Sequence, residues 1–85
     1  MVIKFILLTT FCFNINNESK CGQYLRDNLS DASECKYMAD AIGKAQKMRI
    51  KEIGGSLAEY RAQCIAINHE GYDVDHSFNI SYTIL

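Results

Sequence analysis

One amphipathic stretch, residues 30–53, constrains the fold of this chain more than any other. Its apolar residues recur at intervals of three and four and therefore fall along one side of a helix. They are Cys35, Met38, Ala39, Ile42, Ala45, Met48 and Ile53. Asp31 and Glu34 have the spacing of a capping box, and Gly54 and Gly55 follow where a helix commonly ends. The stretch predicts a helix with one face packed against the rest of the protein.

Two β-strands are predicted before this helix. Residues 2–14 are rich in Ile, Phe and Thr, and their odd-numbered apolar positions indicate a strand with one buried face. Residues 14–20 predict a turn, because they are rich in Asn and Ser. Residues 21–29 then predict a second strand beside the first. Its expected inward-facing residues are Cys21, Leu25 and Leu29.

The first segment also has some features of a secretory signal peptide. Lys4 precedes an apolar core, and polar residues follow it. Against this, Thr9 and Thr10 interrupt the core, and residues 14–19 contain no small-x-small cleavage site. We therefore favour a strand in an uncleaved chain and keep the secretory leader as the alternative. The run is too short for a membrane-spanning helix, which needs about 20 apolar residues.

Residues 56–68 permit two structures. Ser56 and Glu59 form a second capping-box pattern, which would allow a helix from Leu57. The alternation of polar and apolar residues indicates a strand instead, and we predict the strand. Its expected core-facing residues are Tyr60, Ala62, Cys64 and Ala66.

The end of the chain predicts a polar loop and a last strand. The loop is residues 68–76, around Gly71, and the strand is residues 77–84. The alternating apolar residues of this strand are Phe78, Ile80, Tyr82 and Ile84. The order strand, strand, helix, strand, strand predicts a single α+β domain over residues 1–85, a ββαββ fold with one helix packed on a mostly antiparallel sheet.

Charge and composition exclude several function classes. Nine basic and ten acidic residues give a net charge of −1 with no basic cluster, so we expect no nucleic-acid partner. An apolar content of 48% argues against intrinsic disorder. No glycine-rich phosphate loop or nucleophile elbow is present in the sequence, and we predict neither an enzyme nor a cofactor.

The four cysteines leave two hypotheses open. They contain no C-x-x-C pair, so zinc-ribbon and thioredoxin-type sites are excluded by spacing. The predicted faces would allow Cys35 to bond Cys64 between helix and sheet, and Cys12 to bond Cys21 across the first hairpin. In a reducing cytosol the same residues would be small, buried, free thiols, and we slightly favour that interpretation.

The predicted loop holds the densest set of polar side chains. His69, Glu70, Asp73, Asp75 and His76 could in principle wrap a divalent ion. Their spacing matches neither a helical zinc site nor a calcium loop, so we favour a solvated connection and predict no metal. Loops do carry function more often than scaffolds. The residues predicted for binding are Tyr72, Asp73, Asp75, His76 and Tyr82.

The cysteine positions and the hydrophobic pattern also resemble those of a group of small proteins. An apolar first strand ending in Cys12, then Cys21, a helix entered through D-x-S-x-C at residues 31–35, and Cys64 in a late strand resemble short uncharacterised proteins of phages and prophages. The resemblance covers residues 2 to 67. The strand order is also similar to that of some small phage proteins that block host defences. The resemblance implies no catalytic residues.

We therefore expect a non-enzymatic small protein that binds another protein, such as a phage accessory protein that inhibits a host factor. A structural or cement subunit of a virion and a small secreted, disulfide-stapled protein are the alternatives. We expect no membrane partner, and a cytoplasmic or virion location, or secretion in the third case. A sheet edge, the last strand for example, would allow homo-oligomers. Tyrosine is favoured at interfaces, and those that prove exposed would supply anchors; the candidates are Tyr24, Tyr37, Tyr60, Tyr72 and Tyr82.

Overall fold

The computed structural model describes residues 2–81, which form a four-stranded antiparallel sheet and one helix. The elements are β1 (Val2–Ile15), β2 (Glu18–Leu29), α1 (Ala32–Glu52), β3 (Ser56–Asn68) and β4 (Gly71–Ser81). The strand order in the sheet is β2-β1-β3-β4, so β2 and β4 are the edges. The predicted α+β fold and its ββαββ order are confirmed.

The first turn is shorter than the sequence predicts. The strands pair as far as Ile15 and Glu18, and only Asn16 and Asn17 lie between them. Both asparagines have positive φ, 51° and 64°. A two-residue hairpin turn of type I′ needs positive φ at both positions, and asparagine tolerates it better than most residues. The turn predicted for residues 14–20 is therefore wrong in extent, and the second strand begins three residues before the predicted Cys21.

The predicted inward face of β2 is wrong for two of its three residues. Leu29 is buried, but Leu25 is 62% exposed and Cys21 is exposed as well. Phe5 lies opposite Leu29 and Leu7 opposite Arg26, so two steps along β1 correspond to three along β2. This bulge reverses the alternation of side chains on its two sides. Leu29 therefore points to the core, whereas Leu25 and Cys21 point to the opposite face.

The helix begins and ends at the predicted signals. Asp31 is its N-cap, and the Asp31 Oδ1 accepts a 2.7 Å hydrogen bond from the Glu34 amide. The Glu34 carboxylate in turn accepts from the Ser30 amide at 3.0 Å and from the Ser30 hydroxyl. At the other end, Gly54 has a φ of 84°, and the Gly55 amide donates to the Ile50 carbonyl at 2.9 Å. Both ends are thus fixed by local contacts of the kind that stabilise isolated helix termini.

Helix and sheet approach each other most closely at Gly43. A Cβ atom at Gly43 would lie 2.9 Å from Cε2 of Tyr60, which is closer than carbon atoms normally come. The Tyr60 side chain is buried, and its hydroxyl donates a 2.6 Å hydrogen bond to the Ala39 carbonyl of the helix. The ring therefore cannot easily move aside. The position needs a glycine in spite of the cost of about 1 kcal/mol that glycine carries inside a helix.

β3 is a strand, as predicted, with Tyr60, Ala62, Cys64 and Ala66 in the core. The predicted polar loop over residues 68–76 is wrong, because only His69 and Glu70 form the turn and β4 begins at Gly71. An edge strand can carry polar side chains because they reach solvent, so composition alone does not distinguish it from a loop. The predicted last strand, residues 77–84, belongs to β4 as far as Ser81, and its remaining residues lie outside the described part.

No helix in residues 2–81 is long and apolar enough to cross a membrane.

Candidate functional site

The sheet has two faces with different surroundings. The covered face packs against α1, and it includes Leu7 and Cys64, which lie opposite each other on neighbouring strands. Side chains alternate along a strand, so Ile6 and Leu8, the neighbours of the buried Leu7, point to the other face. In residues 2–81, α1 is the one helix, and it leaves this second face without a covering element. We call it the uncovered face.

Apolar side chains from all four strands meet on the uncovered face. Ile6 lies opposite Ile65 on the two central strands, and Leu8 lies opposite Leu25 of β2. Tyr72 of β4, which is 62% exposed, lies opposite Ile67. We call this cluster the apolar patch. Its members are Ile6, Leu8, Leu25, Ile65, Ile67, Tyr72 and Val74.

A shallow groove next to the patch is lined by polar groups. Its volume is about 400 Å³, and its walls include Leu8, Thr10, Arg61, Gln63 and Asn79. The uncovered face thus combines an apolar half with a half that can donate and accept hydrogen bonds. Contiguous exposed apolar surface next to polar groups is typical of sites where proteins bind each other.

Both pairs of cysteines named from the sequence are disulfides in the structure, and no cysteine is free. The slightly favoured interpretation of four free thiols is therefore wrong. Cys35 and Cys64 are completely buried and join the helix to β3. Cys12 and Cys21 lie directly opposite each other in the first hairpin, with Cα atoms 4.0 Å apart, and face the uncovered side. The free-thiol interpretation assumes a reducing cytosol, whereas pairing depends on which strands and faces meet.

Four of the five residues predicted for binding lie on β4, and two of them pair with each other. His76 Nδ1 is 2.8 Å from Asp73 Oδ2, and this hydrogen bond holds the pKa of the Asp73 carboxyl below its usual value. Asp73 Oδ1 also accepts from the Asp75 amide at 3.0 Å. Tyr72 alone belongs to the apolar patch. Tyr82 lies outside the described residues.

The polar part of β4 stabilises an irregular stretch of the strand. The pairing between β3 and β4 shifts register where Ala66 lies opposite Asp73 and Cys64 lies opposite Phe78. Ser77 fills the gap: its hydroxyl accepts from the Ala66 amide at 2.9 Å and donates to the Asp73 carbonyl at 2.6 Å. Within residues 2–81, no three metal-ligating side chains gather closely enough to hold an ion. These contacts give the polar residues a structural role.

The predicted tyrosine anchors separate into three groups. Tyr60 is buried in the core, as the alternation of β3 predicts, so it is not available as an anchor. Tyr24, Tyr37 and Tyr72 are exposed, but only Tyr72 belongs to the apolar patch. The aliphatic patch itself was missed by the sequence reasoning. Its signal is the run of apolar residues at positions 5–8 and again at 64–67, where both faces of the strand are apolar instead of one.

The chain matches no protein-family model, no curated protein and no solved structure. The resemblance to small phage proteins therefore stays a prediction.

Proposed function

We propose that this protein is a non-enzymatic binding protein whose uncovered sheet face docks against another protein. The observation that carries the proposal is the aliphatic pair Ile6 and Ile65 at the centre of that face, with Leu25 exposed beside it. An antiparallel sheet with one solvated face normally presents polar side chains there. Aliphatic residues on both central strands are better explained by a partner that removes them from water.

The hydrophobic effect would supply most of the affinity. Each aliphatic side chain taken fully out of water contributes about 1.5 to 3 kcal/mol before the costs of association are subtracted. Thr10, Arg61 and Gln63 would orient the partner through hydrogen bonds along the adjoining groove. The partner we propose is therefore a protein with an apolar ridge flanked by hydrogen-bonding groups.

The state of the cysteines supports a non-enzymatic role and indicates the compartment in which the protein acts. All four sulfur atoms are in disulfides, so none of them is available as a thiolate nucleophile. Disulfides persist mainly in oxidising surroundings, such as the cell exterior, the periplasm or the surface of a virion. We therefore propose that the protein acts in such a compartment, as a secreted or virion-associated protein.

A pair of matched variants tests the binding face. Ile65→Glu places a charge in the apolar patch, and Ala41→Glu places the same charge on the exposed side of the helix. Each variant and the wild type are immobilised and exposed to an extract of the native source, after near-ultraviolet circular dichroism has shown that each is folded. We expect one protein to be retained by the wild type and by Ala41→Glu but lost with Ile65→Glu. Equal retention by all three, or loss with Ala41→Glu only, would contradict the proposal.

A further inference from the structure

The disulfide between Cys12 and Cys21 differs from the other one in its access to solvent. Cys21 is exposed and Cys12 is half-buried, whereas Cys35 and Cys64 are both 0% exposed. Thiol–disulfide exchange requires a thiolate to reach one of the two sulfur atoms. Small thiols in solution can reach the first disulfide in the folded protein. They can reach the second only after the helix has separated from the sheet.

The position of β2 in the sheet decides which sulfur can be attacked. An attacking thiolate approaches roughly along the line of the bond that breaks. Cys21 lies on the edge strand β2, and in residues 2–81 no strand flanks it on its outer side. Cys12 lies on a central strand, and Glu59 of β3 is directly opposite it, paired with Arg61 at 3.0 Å. The open outer side of the edge strand therefore favours attack at Cys21.

The hairpin does not depend on this bond for its shape. The two-residue turn at Asn16 and Asn17 closes it on one side, and strand pairing continues without interruption from Leu7 to Ile15. β1 is also held by β3 along its other edge. If the disulfide opens, the two sulfur atoms therefore stay opposite each other and can close again.

We infer that the Cys12–Cys21 disulfide is a reversible exchange site for low-molecular-weight thiols, with Cys21 as the atom attacked. A thiolate forms a bond to the Sγ of Cys21, the bond between the two cysteines breaks, and Cys12 leaves with the electron pair and takes a proton from water. A second thiolate then attacks the sulfur of the first thiol and releases Cys21. Overall, two thiols are oxidised to one disulfide and the protein gains two thiols.

Opening this bond would change the chemistry of the uncovered face, because two thiols would replace one disulfide. On that face, Thr10 and Gln23 form the next opposed pair after the two cysteines, and Leu8 and Leu25 form the pair after that. The exchange site would thus let the redox state of the surroundings change the surface next to the apolar patch, while the strand pairing that holds the patch stays in place. This consequence rests on the proposed binding function, whereas the exchange site itself does not.

Exchange with reduced glutathione tests the inference without a partner. The folded wild type is incubated with graded ratios of reduced to oxidised glutathione, quenched with iodoacetamide, and digested for mass spectrometry of all four cysteines. Near-ultraviolet circular dichroism of the same samples reports whether the fold is intact. A Cys12→Ala, Cys21→Ala variant is the control, and it should take up no label at ratios that modify the wild type.

We expect Cys12–Cys21 to open at least about tenfold faster than Cys35–Cys64, because the buried bond waits for local unfolding. The fold should stay intact, and the mixed disulfide should be found on Cys21. Four results would overturn the inference: opening of both bonds at one rate, earlier opening of Cys35–Cys64, loss of the fold together with the first bond, or no opening at all. A mixed disulfide found mainly on Cys12 would overturn the assignment of the attacked atom.

Discussion

The covered and the uncovered face belong to the same four strands, and they differ in what shields their apolar side chains from water. Under the helix, Ala62, Cys64 and Ala66 are small because α1 lies close, and the Tyr60 hydroxyl is paired with the Ala39 carbonyl. On the other side, Leu8 and Ile65 are only partly buried, and Leu25 is mostly exposed. The covered face is completed within the chain. The uncovered face, in our account, is completed by a partner.

The strongest test of the difference between the two faces is to truncate two adjacent leucines of β1. Leu7 is 0% exposed under the helix, and Leu8 is half-buried on the uncovered face. We expect Leu7→Ala to lower the free energy of unfolding by roughly 3 to 5 kcal/mol, since it leaves a cavity in the core. Leu8→Ala, the matched control, should cost about 1 kcal/mol or less. Urea unfolding measures both, and equal losses would show that the two faces are not distinct in packing.

The two disulfides can also be compared by the stability that is lost when each of them is removed. Cys35–Cys64 closes a sequence separation of 29 residues and Cys12–Cys21 one of 9. In the chain-entropy account, removing the first pair as Cys35→Ala, Cys64→Ala costs about 3.6 kcal/mol, and removing the second costs about 2.6 kcal/mol. The loss of buried sulfur atoms adds to the first value. Thermal unfolding of the two double variants should rank them in this order, and the reverse ranking would contradict the assigned roles.

Gly43 tests how tightly the covered face is closed. In an exposed helix, Gly→Ala stabilises by about 1 kcal/mol. Here the new methyl group would meet the Tyr60 ring at 2.9 Å, so we expect Gly43→Ala to destabilise by about 1 to 2 kcal/mol instead. Lys44→Ala, one residue further on the exposed side, is the control and should be nearly neutral. A stabilised Gly43→Ala variant would mean that the helix lies further from the sheet.

The smallest expected effect concerns the helix cap. Hydrogen bonds from Ser30, first from its hydroxyl, hold the pKa of the Glu34 carboxyl below its ordinary value of 4.5. A lowered pKa in the folded state stabilises the fold above that ordinary value, and the stabilisation is lost as the pH falls through the lowered pKa. Glu34→Gln should therefore have a lower melting temperature than the wild type at pH 7, and the difference should shrink below pH 4.5.

Glu52→Gln, at the other end of the same helix, is the control for this titration. It removes a carboxylate from α1 and leaves the contacts between Ser30 and Glu34 in place. If Glu34→Gln melts like the wild type at pH 7, the cap does not contribute to holding α1 on the covered face.

The sequence predicts the covered face better than the uncovered one, for physical reasons. The helix carries its own start and stop signals at Asp31 and Gly54. Its predicted apolar stripe is wrong in part, because Ala45, Met48 and Ile53 are exposed and Ile50 is buried instead. The faces of β2 depend on the bulge between Leu29 and Arg26, where Asn28 has a φ of 63°. A single asparagine in the sequence does not distinguish a bulge from a turn. One extra residue there is enough to expose Leu25.

Two other features depend on tertiary context. The polar residues of β4 look like a loop because the sequence does not show that they pair with β3 at a sheet edge. The apolar patch becomes visible only when the side occupied by α1 is known, because Ile6 and Ile65 would otherwise be assigned to a core. Local signals therefore determine the elements, and the candidate site arises from how the elements are arranged.

Covalent surface labelling of the protein in its native assembly tests the central claim most directly. A carbene reagent is applied to protein isolated with its partner and to the same protein alone, and the labelled residues are located by mass spectrometry. We predict that Leu25 and Ile65 lose label in the assembly, while Tyr37 and Met48 on the exposed side of the helix keep it. Protection of Tyr37 and Met48, with Leu25 and Ile65 labelled equally in both states, would contradict the account.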